Sequence, residues 1–495
     1  VINFRSFGED KNNVATKAWW VAKGMQDAGI IACAKHFPGH GDTDTDSHKT
    51  LPYLNHSKQR MDEIETYPFR FMSEKGISGI MSAHLNVPSL DESETPSSLS
   101  SKIIIDYLKG EIGFEGFVVT DALNMSGVSK SGNVTLEAIT AGNDLAEFVP
   151  DVEKAVVTIK AAIEKGEIDS TLIFEKCRRI LALKRWVNLN EYKPASTKNL
   201  YARLNSPYHE ITIRKLIKNS LTVITNNSTL PVQNLEDLKI ASVNIGGNKV
   251  SAFQKMLEKY TSIDHFYIPK SISEKEWVKI RQKLENYNLI IGGIEGINIY
   301  PAKKYGTSEL QRKIVDEIIQ NQNSVFVFFG NAYAIKHFEN IHHSKGLIVA
   351  YQNNVLTQQL AAQSIFGAFD LVGKLPVTID QRFKLNDGIQ VKKNDNFSFT
   401  IPEEVNIDSK RLHTKIDSIA RLGIAEKAYP GCQVLVAKNG KIIFHECYGF
   451  HTYQNVEPVS KDNIYDWASV TKVTGPLPAI MKMVDEKKNK SRCSV

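Results

Sequence analysis

The feature that most constrains this chain is the segment from Lys35 to His48, which reads KHFPGHGDTDTDSH. It places three histidines and three aspartates within fourteen residues and is interrupted by one proline and two glycines. These breakers exclude a regular helix, and the apolar run at residues 30–34 predicts a short buried strand just before them. The sequence therefore predicts a strand that opens into a loop rich in proton-transfer groups, and such loops often carry catalytic residues.

Length and composition indicate an ordinary globular protein of several domains. A chain of 495 residues is too long for one core and is expected to form two to four domains. The net charge of +6 is spread thinly along the chain, which gives no indication of nucleic acid as a partner. No window approaches the roughly 18 apolar residues of a membrane span. The five cysteines have no metal-ligand spacing and are predicted to be buried free thiols.

In the first region, helical patterns alternate with short apolar runs. Helices are predicted over 15–28, 60–74 and 99–109, and strands over 29–34, 77–83, 117–120 and near 144. This order is typical of parallel strands with covering helices, as in a (β/α)₈ barrel. Active sites of such folds lie at the carboxyl ends of the strands, so we expect the chemistry there.

Acidic and histidine side chains follow these strands. Asp121 ends the third strand, and a carboxylate there can attack an anomeric carbon to form a covalent glycosyl intermediate. His48 has a side chain suited to protonating the leaving oxygen and then deprotonating water, and Asp46 is close enough in sequence to orient it. A lone strand-end Asp or loop His is more often a cap or a solvated side chain, so the combination carries the inference.

Three motifs carry a family resemblance. KHFPGHG, DSH and GFEGFVVTDALNM, read in that order, resemble the β-N-acetylglucosaminidase (β-hexosaminidase) branch of the family 3 glycoside hydrolases. The resemblance implies a retaining hydrolysis of terminal β-N-acetylglucosamine residues that needs no cofactor. It also implies Asp121 as the nucleophile, His48 as the general acid/base and Asp46 as the partner of His48.

The same resemblance implies a set of substrate-binding residues. Lys35 and His36 would bind the sugar hydroxyls, and Arg5, in RSFG, would be another sugar contact. His84, in MSAH, stands where the family has a strand-end residue near the site. The expected partner is thus a carbohydrate containing N-acetylglucosamine, with no nucleic acid.

Three alternatives remain open at this point. A metal site is also suggested by His36, His40 and His48 with Asp42, although the family resemblance favours a mechanism without a metal. Phosphate rather than water is a second possible acceptor of the glycosyl group, since a neutral histidine does not repel an anion. The third alternative is a truncated, non-catalytic product that only binds a glycan.

The resemblance implies the C-terminal half of a TIM-type (β/α)₈ barrel over residues 1–195 and an α/β sandwich over 196–395. The family's RSFG segment follows about half of the barrel but here begins at residue 5, so we expect the amino-terminal half to be missing. QSIFGAFDLVGKLPVTI resembles the close of the sandwich domain. Its glycine pairs at 246–247 and 292–293 are expected to be tight turns, because neither forms a known phosphate-loop motif.

Residues 396–495 resemble the start of an α+β domain of the serine β-lactamase or penicillin-binding type. A hairpin is predicted at Asn439-Gly440, and the segment DWASVTKVTG places Ser469 and Lys472 in an S-x-x-K motif. This motif alone is common, so Ser469 and Lys472 are only a possible second site. No later motif of that family follows, and we expect this part to be inert.

The joined barrel and penicillin-binding-like parts suggest peptidoglycan fragments as the natural glycan. The chain begins at Val1 and ends in a basic run, so we expect a fragment of a longer protein. An extracytoplasmic location, periplasmic or anchored through a missing amino terminus, is favoured on this basis.

Overall fold

The computed structural model describes residues 5–43, 45, 50–128 and 132–486. It has two compact units, one of Val1–Leu204 with Arg214–Asn394 and one of Asn205–Ile213 with Asp395–Val495. The α/β class predicted from the sequence is confirmed. The three predicted domains, and the identity of the first as half of a barrel, stay predictions.

A parallel sheet forms the centre of the first region. Its described strands are β1 (Cys33–Phe37), β2 (Gly79–Ser82) and β3 (Phe117–Thr120), in the order β1-β2-β3. All pairings are parallel. The fourth strand predicted near residue 144 is a single parallel bridge between Leu145 and Val119. The carboxyl ends of these strands therefore lie along one edge, as the sequence predicted.

The first strand begins later than predicted. It starts at Cys33 rather than at Gly29, because the N–H groups of Gly29 and Ile30 bond to carbonyls of the preceding helix and close it. Lys35 and His36 are consequently part of the strand and not of the loop. The peptide bonds Lys35–His36 and Phe37–Pro38 are cis.

Helices cover this sheet, and Phe37, Ile80 and Val118 are fully buried beneath them. Asp10 caps the first helix by accepting the N–H of Asn13. The α-helices and π-helical segments of the region are Lys11–Asp27, Lys58–Arg60, Met61–Glu65, Tyr67–Glu74, Lys102–Glu111, Val134–Thr140, Val152–Glu164 and Ser170–Trp186. The helices Leu200–Leu204 and Pro207–Ser220 follow them.

The second part of the first unit contains a larger mixed sheet. Its described strands are β4 (Thr222–Asn226), β5 (Ile240–Gly246), β6 (Ile263–Pro269), β7 (Leu289–Ile294), β8 (Ser324–Phe328) and β9 (Gly346–Val349). The order is β4-β9-β8-β7-β5-β6, and only β4 is antiparallel to its neighbour. The covering helices are Ala252–Leu257, Glu274–Leu284, Glu309–Asn321 and Val355–Ile365.

The segment that contains Arg5 is attached to this second part. The Glu9 N–H donates to the Pro376 carbonyl at 3.0 Å, and the Thr378 hydroxyl donates to the Glu9 carboxylate at 2.6 Å. A Cβ at Gly8 would lie 2.6 Å from the Pro376 oxygen, so only glycine permits this approach. The region around residues 374–378 thereby helps to fix the chain next to Arg5.

The second unit consists of a small sheet and a helix that packs on it. Its described strands are β10 (Ser398–Phe399), β11 (Gly431–Lys438) and β12 (Lys441–Gly449), in the order β10-β12-β11. Asn439 and Gly440 both have positive φ values, as the predicted hairpin turn requires. Helix Ser409–Ala425 contributes Ala420 to a core with Phe444. The helices Thr471–Thr474 and Pro476–Asp485 follow.

Two smaller expectations concern membranes and cysteines. Among the described residues, no helix combines the length and apolar character needed to cross a membrane. The described cysteines are free, as predicted, but Cys33 and Cys177 are exposed rather than buried. The prediction of burial was wrong for Cys33 because its side chain alternates with that of the half-buried Ala34 and shares the exposed face of β1 with Lys35.

Candidate active site

Asp121 lies directly after β3, at the carboxyl end of the parallel sheet. Its N–H donates to the Ser82 carbonyl at 2.8 Å, so the backbone continues the sheet pairing up to the carboxylate itself. One carboxylate oxygen, Oδ1, accepts the N–H of Ala122 at 2.9 Å. The other, Oδ2, lies 3.9 Å from His36 Nε2, and the side chain keeps 18% of its surface exposed. Asp121 is thus fixed at its base and reachable at its tip.

His36 stands beside this carboxylate and is 11% exposed. Burial lowers the pKa of His36 to about 4; the charge of Asp121 opposes the shift, and the charges of Lys35, His40 and Arg5 add to it. The ring is therefore neutral at pH 7 and carries one N–H donor and one acceptor. A neutral ring suits a hydrogen bond to a sugar hydroxyl better than an ion pair with the carboxylate.

Arg5 and Lys35 are both exposed, and their charges act on His36. The structure thus brings three of the predicted substrate-binding residues into one electrostatic neighbourhood with Asp121. Asp46 and His48, the predicted acid/base pair, lie outside the described residues. Their roles stay predictions.

His40 was considered only as a metal ligand in the sequence, and the structure gives it a different setting. It is buried, and its ring lies edge-on to that of His36 with 5.7 Å between centroids. His40 Nδ1 lies 2.6 Å from the Thr43 hydroxyl, which also bonds to the His40 carbonyl. Burial lowers the pKa of His40. The His40–Thr43 pair therefore stiffens the turn that follows β1.

His84, predicted to bind substrate, is completely buried. Its Nε2 lies 3.0 Å from the Ala122 carbonyl and its Nδ1 2.7 Å from the Ser98 hydroxyl. A carbonyl only accepts, so Nε2 carries the proton and Nδ1 accepts from Ser98. His84 thereby ties the end of β2 to the residue after Asp121. This arrangement favours a supporting role for His84 over direct contact with a sugar.

A polar network beneath the site was not recognised from the sequence. The Ser82 hydroxyl donates to the side chain of Asn143, whose amide donates to the carbonyls of Ser98 and Ala138. The neighbouring Asp144 carboxylate is almost fully buried and accepts the Val118 N–H at 2.8 Å. Lys109, Lys176 and Arg179 surround that carboxylate within 4.0 Å. These groups fix the strand ends on which Asp121 depends.

A group that could hold a metal ion lies next to the loop rather than at Asp121. One ligand atom from each of Asp42, His56 and Glu65 lies within 4.8 Å of the others. The Arg60 guanidinium, however, already bonds to both oxygens of the Glu65 carboxylate, at distances of 2.8–3.1 Å. A cation next to that guanidinium would be repelled, so the group fits an ion-paired cluster better than a metal site.

In the second unit, Ser469 and Lys472 meet as the S-x-x-K spacing requires. Lys472 Nζ donates to the Ser469 hydroxyl at 3.1 Å, and both residues are exposed. The pair has the geometry of a nucleophile and its partner, and its activity stays a prediction.

Comparisons with known proteins show which family and which solved structures this chain is similar to. Residues 1–183 match the model of the glycosyl hydrolase family 3 N terminal domain. The chain is 30% identical over 256 residues to the protein named beta-hexosaminidase A from Pseudoalteromonas piscicida. That match covers 47% of this chain and 42% of the relative, so the chain spans less than half of this relative's length.

Solved structures show the same fold over three quarters of the chain. The family 3 β-N-acetylglucosaminidase of Paenibacillus sp. str. FPU-7 is 24% identical, with a TM-score of 0.59, and the match covers 77% of this chain and 73% of that one. The β-glucoside phosphorylase BglX is 22% identical, with a TM-score of 0.62, and covers 77% of this chain and 71% of that one. At these identities the likeness establishes the α/β fold alone.

Proposed function

Taking residues 1–183 as a glycosyl hydrolase family 3 domain, we propose that the protein is a retaining β-N-acetylhexosaminidase. Its substrates are glycans with terminal, non-reducing β-linked N-acetylglucosamine, with peptidoglycan fragments as the favoured natural source. The similarity to beta-hexosaminidase A of Pseudoalteromonas piscicida supports this choice of sugar.

The observation that carries the proposal is the setting of Asp121. Its carboxylate accepts the Ala122 N–H, stays accessible, and faces a half-buried, neutral His36 at 3.9 Å. The positive charges of Arg5 and Lys35 act on the His36 ring. A nucleophilic carboxylate needs this combination of a fixed base, an accessible oxygen and hydrogen-bonding groups for the neighbouring hydroxyls.

In the first step, an Asp121 oxygen forms a bond to the anomeric carbon while the bond to the leaving oxygen breaks. His48 gives its proton to that leaving oxygen. In the second step, His48 takes a proton from water, the water oxygen bonds to the anomeric carbon, and the bond to Asp121 breaks. Asp46 orients the His48 ring, and Lys35, His36 and Arg5 bind the sugar. No cofactor takes part in either step.

The test is release of chromophore from an aryl β-N-acetylglucosaminide by the full-length protein, with Asp121→Asn as the comparison. The proposal expects activity in the parent, its loss in the variant and no effect of EDTA. Equal activity in parent and variant would refute the role of Asp121. An inactive parent that still binds the glycan would support the non-catalytic alternative instead.

Phosphate in the same assay distinguishes hydrolysis from phosphorolysis. A hydrolase gives free N-acetylglucosamine whether or not phosphate is present. Formation of a sugar 1-phosphate that increases with phosphate concentration would identify a phosphorylase and would leave the role of Asp121 unchanged. The assay therefore identifies the acceptor of the glycosyl group independently of the role of Asp121 as nucleophile.

A further inference from the structure

An ion-paired cluster lies at the base of the loop that follows β1. We call it the loop anchor, and it consists of Asp42 with His56, Arg60 and Glu65. His56 Nε2 lies 3.0 Å from Asp42 Oδ2, and Arg60 Nη2 lies 3.8 Å from the same oxygen. His56 Nε2 also lies 3.9 Å from Glu65. Asp42 is therefore the one loop residue of the anchor, and the other three belong to the segment 56–65.

Glu65 makes the anchor rigid on the side of that segment. Its side chain is only 6% exposed, and Arg60 bonds to both of its oxygens through Nε and Nη2. A two-point Arg–carboxylate contact fixes the orientation of both groups. Glu65 also ends the π-helical segment Met61–Glu65, so its backbone position is set by the helix.

The turn after β1 packs directly against Glu65. Gly39 has a φ of +137°, and a Cβ there would lie 2.8 Å from the Glu65 Cβ, so a side chain is excluded. His40 and Thr43 close the same turn from within. The chain is therefore held by backbone packing at Gly39 and by the contacts of Asp42 with His56 and Arg60, before it continues toward Asp46 and His48.

We propose that Asp42, His56 and Arg60 are positioning residues that set where the acid/base segment of the loop begins. The inference rests on the proposed function, since it assumes that His48 protonates the leaving group. None of the three residues takes part in the reaction itself. Their contribution is to fix the turn at residues 39–43, from which the chain enters the segment that contains His48.

This role has a consequence that a purely structural role lacks. A poor leaving group needs protonation as its bond breaks, whereas a strongly acidic leaving group departs without it. A misplaced acid therefore slows the first step for 4-methylumbelliferyl or disaccharide substrates but not for a 2,4-dinitrophenyl glycoside. The second-order constant kcat/KM reports this first step alone.

The experiment measures kcat/KM of the full-length protein with both substrate types for the parent and for His56→Ala and Asp42→Asn. We expect about a tenfold loss on the poor leaving group, since small misplacements of catalytic groups commonly have effects of this size or larger. The dinitrophenyl glycoside is expected to change less than about twofold. His56→Gln, whose amide can still donate to Asp42, is expected to recover most of the loss.

His265→Ala provides a matched control. His265 Nε2 pairs with Glu258 at 2.9 Å, nearly the distance of the His56–Asp42 pair, but in the sandwich sheet. The His265→Ala substitution is expected to leave unchanged the ratio of kcat/KM for the substrate with the poor leaving group to kcat/KM for the dinitrophenyl glycoside. Equal losses on both substrates in His56→Ala, or no loss on either, would overturn the proposal.

A physical readout separates failure of the anchor from failure of the proposed function. Amide hydrogen exchange of residues 37–43 is expected to accelerate in His56→Ala and to stay as in the parent for His265→Ala. Unchanged exchange would overturn the anchor whatever the activity. If exchange changes but Asp121→Asn equals the parent in activity, the proposed function fails while the anchor stands as a structural feature.

Discussion

Asp121 and Glu295 occupy the same backbone position in two different sheets. Each is the residue directly after a parallel strand, β3 or β7, and each donates its N–H to a neighbouring strand at 2.8 Å, to Ser82 or Ile245. The local chain geometry thus does not distinguish them. What distinguishes them is the set of groups around each carboxylate.

Glu295 is covered by residues from the segments that follow β5 and β9. It is 9% exposed, and burial raises its pKa, while bonds from Asn353, Ser251 and Gln358 oppose the rise. Ser251 is itself the cap of helix Ala252–Leu257. Asp121 instead keeps 18% of its side chain exposed and lies 3.9 Å from the neutral His36 ring, on which the charges of Arg5 and Lys35 act. A strand-end carboxylate is therefore structural or reactive according to what covers it.

The largest expected difference between the two carboxylates appears when the charge of each is removed in turn. Asp121→Asn is expected to lower kcat/KM for an aryl β-N-acetylglucosaminide by at least about 10³-fold, because the amide is a poor nucleophile. Glu295→Gln is expected to stay within about twofold of the parent. A large loss in Glu295→Gln with a normal melting temperature would show that the Glu295 carboxylate is also reactive.

Substitution of His84 tests whether its hydrogen bonds stabilise the strand end next to Asp121. His84→Ala leaves the Ala122 carbonyl and the Ser98 hydroxyl without their partner in a fully buried place, so we expect a loss of about 3 kcal/mol in the free energy of unfolding. Chemical denaturation measures it. His84→Gln, with a donor and an acceptor, is expected to lose less; an Ala variant as stable as the parent would contradict this role.

His36 is expected to make the free energy of unfolding depend on pH. The sign of this dependence is opposite to that expected for Glu295. The folded pKa of about 4 lies below the ordinary 6.5, so the unfolded chain binds the extra proton between these values. His36 therefore does not reduce the free energy of unfolding above pH 6.5. As the pH drops from 6.5 toward 4, the free energy of unfolding falls by about 3 kcal/mol because of this group. His36→Gln is expected to show a shallower fall, and parallel unfolding curves from pH 4 to 7 would contradict it.

Glu295 should show the opposite slope and the smallest effect. Its pKa is raised, so the folded state holds a proton that the unfolded state has lost above about pH 4.5. Stability from this group is present below pH 4.5 and is lost as the pH rises through the folded pKa. Glu295→Gln is expected to remove that fall; a steeper fall in the variant would contradict the burial argument.

The elements that the sequence predicted well are those encoded locally. The hairpin at Asn439-Gly440 follows from two residues that tolerate positive φ, and the parallel strands follow from apolar runs separated by helical patterns. Strand β6 gives a weaker signal in the sequence, because Asp264 and His265 interrupt its apolar pattern at the edge of the sheet. The α/β fold class could be predicted from the sequence. The exact first and last residues of each strand could not, because they depend on hydrogen bonding to neighbouring strands.

The candidate site was predictable in part for the same reason. Asp121 follows an apolar strand and stands out from the sequence alone. The loop anchor does not, because Asp42 and Glu65 are brought together by the fold and each looks like an ordinary surface charge. The neutral state of His36 depends on burial, which the sequence of a strand with exposed neighbours does not indicate.

The most direct test of the central claim is to trap the glycosyl intermediate. The full-length protein would be incubated with a fluorinated N-acetylglucosamine derivative bearing a fluoride leaving group, digested, and examined by mass spectrometry. We expect one glycosyl unit on the peptide containing Asp121 and no label in Asp121→Asn. A label on another carboxylate, such as Glu295, or turnover without any label on Asp121, would contradict it.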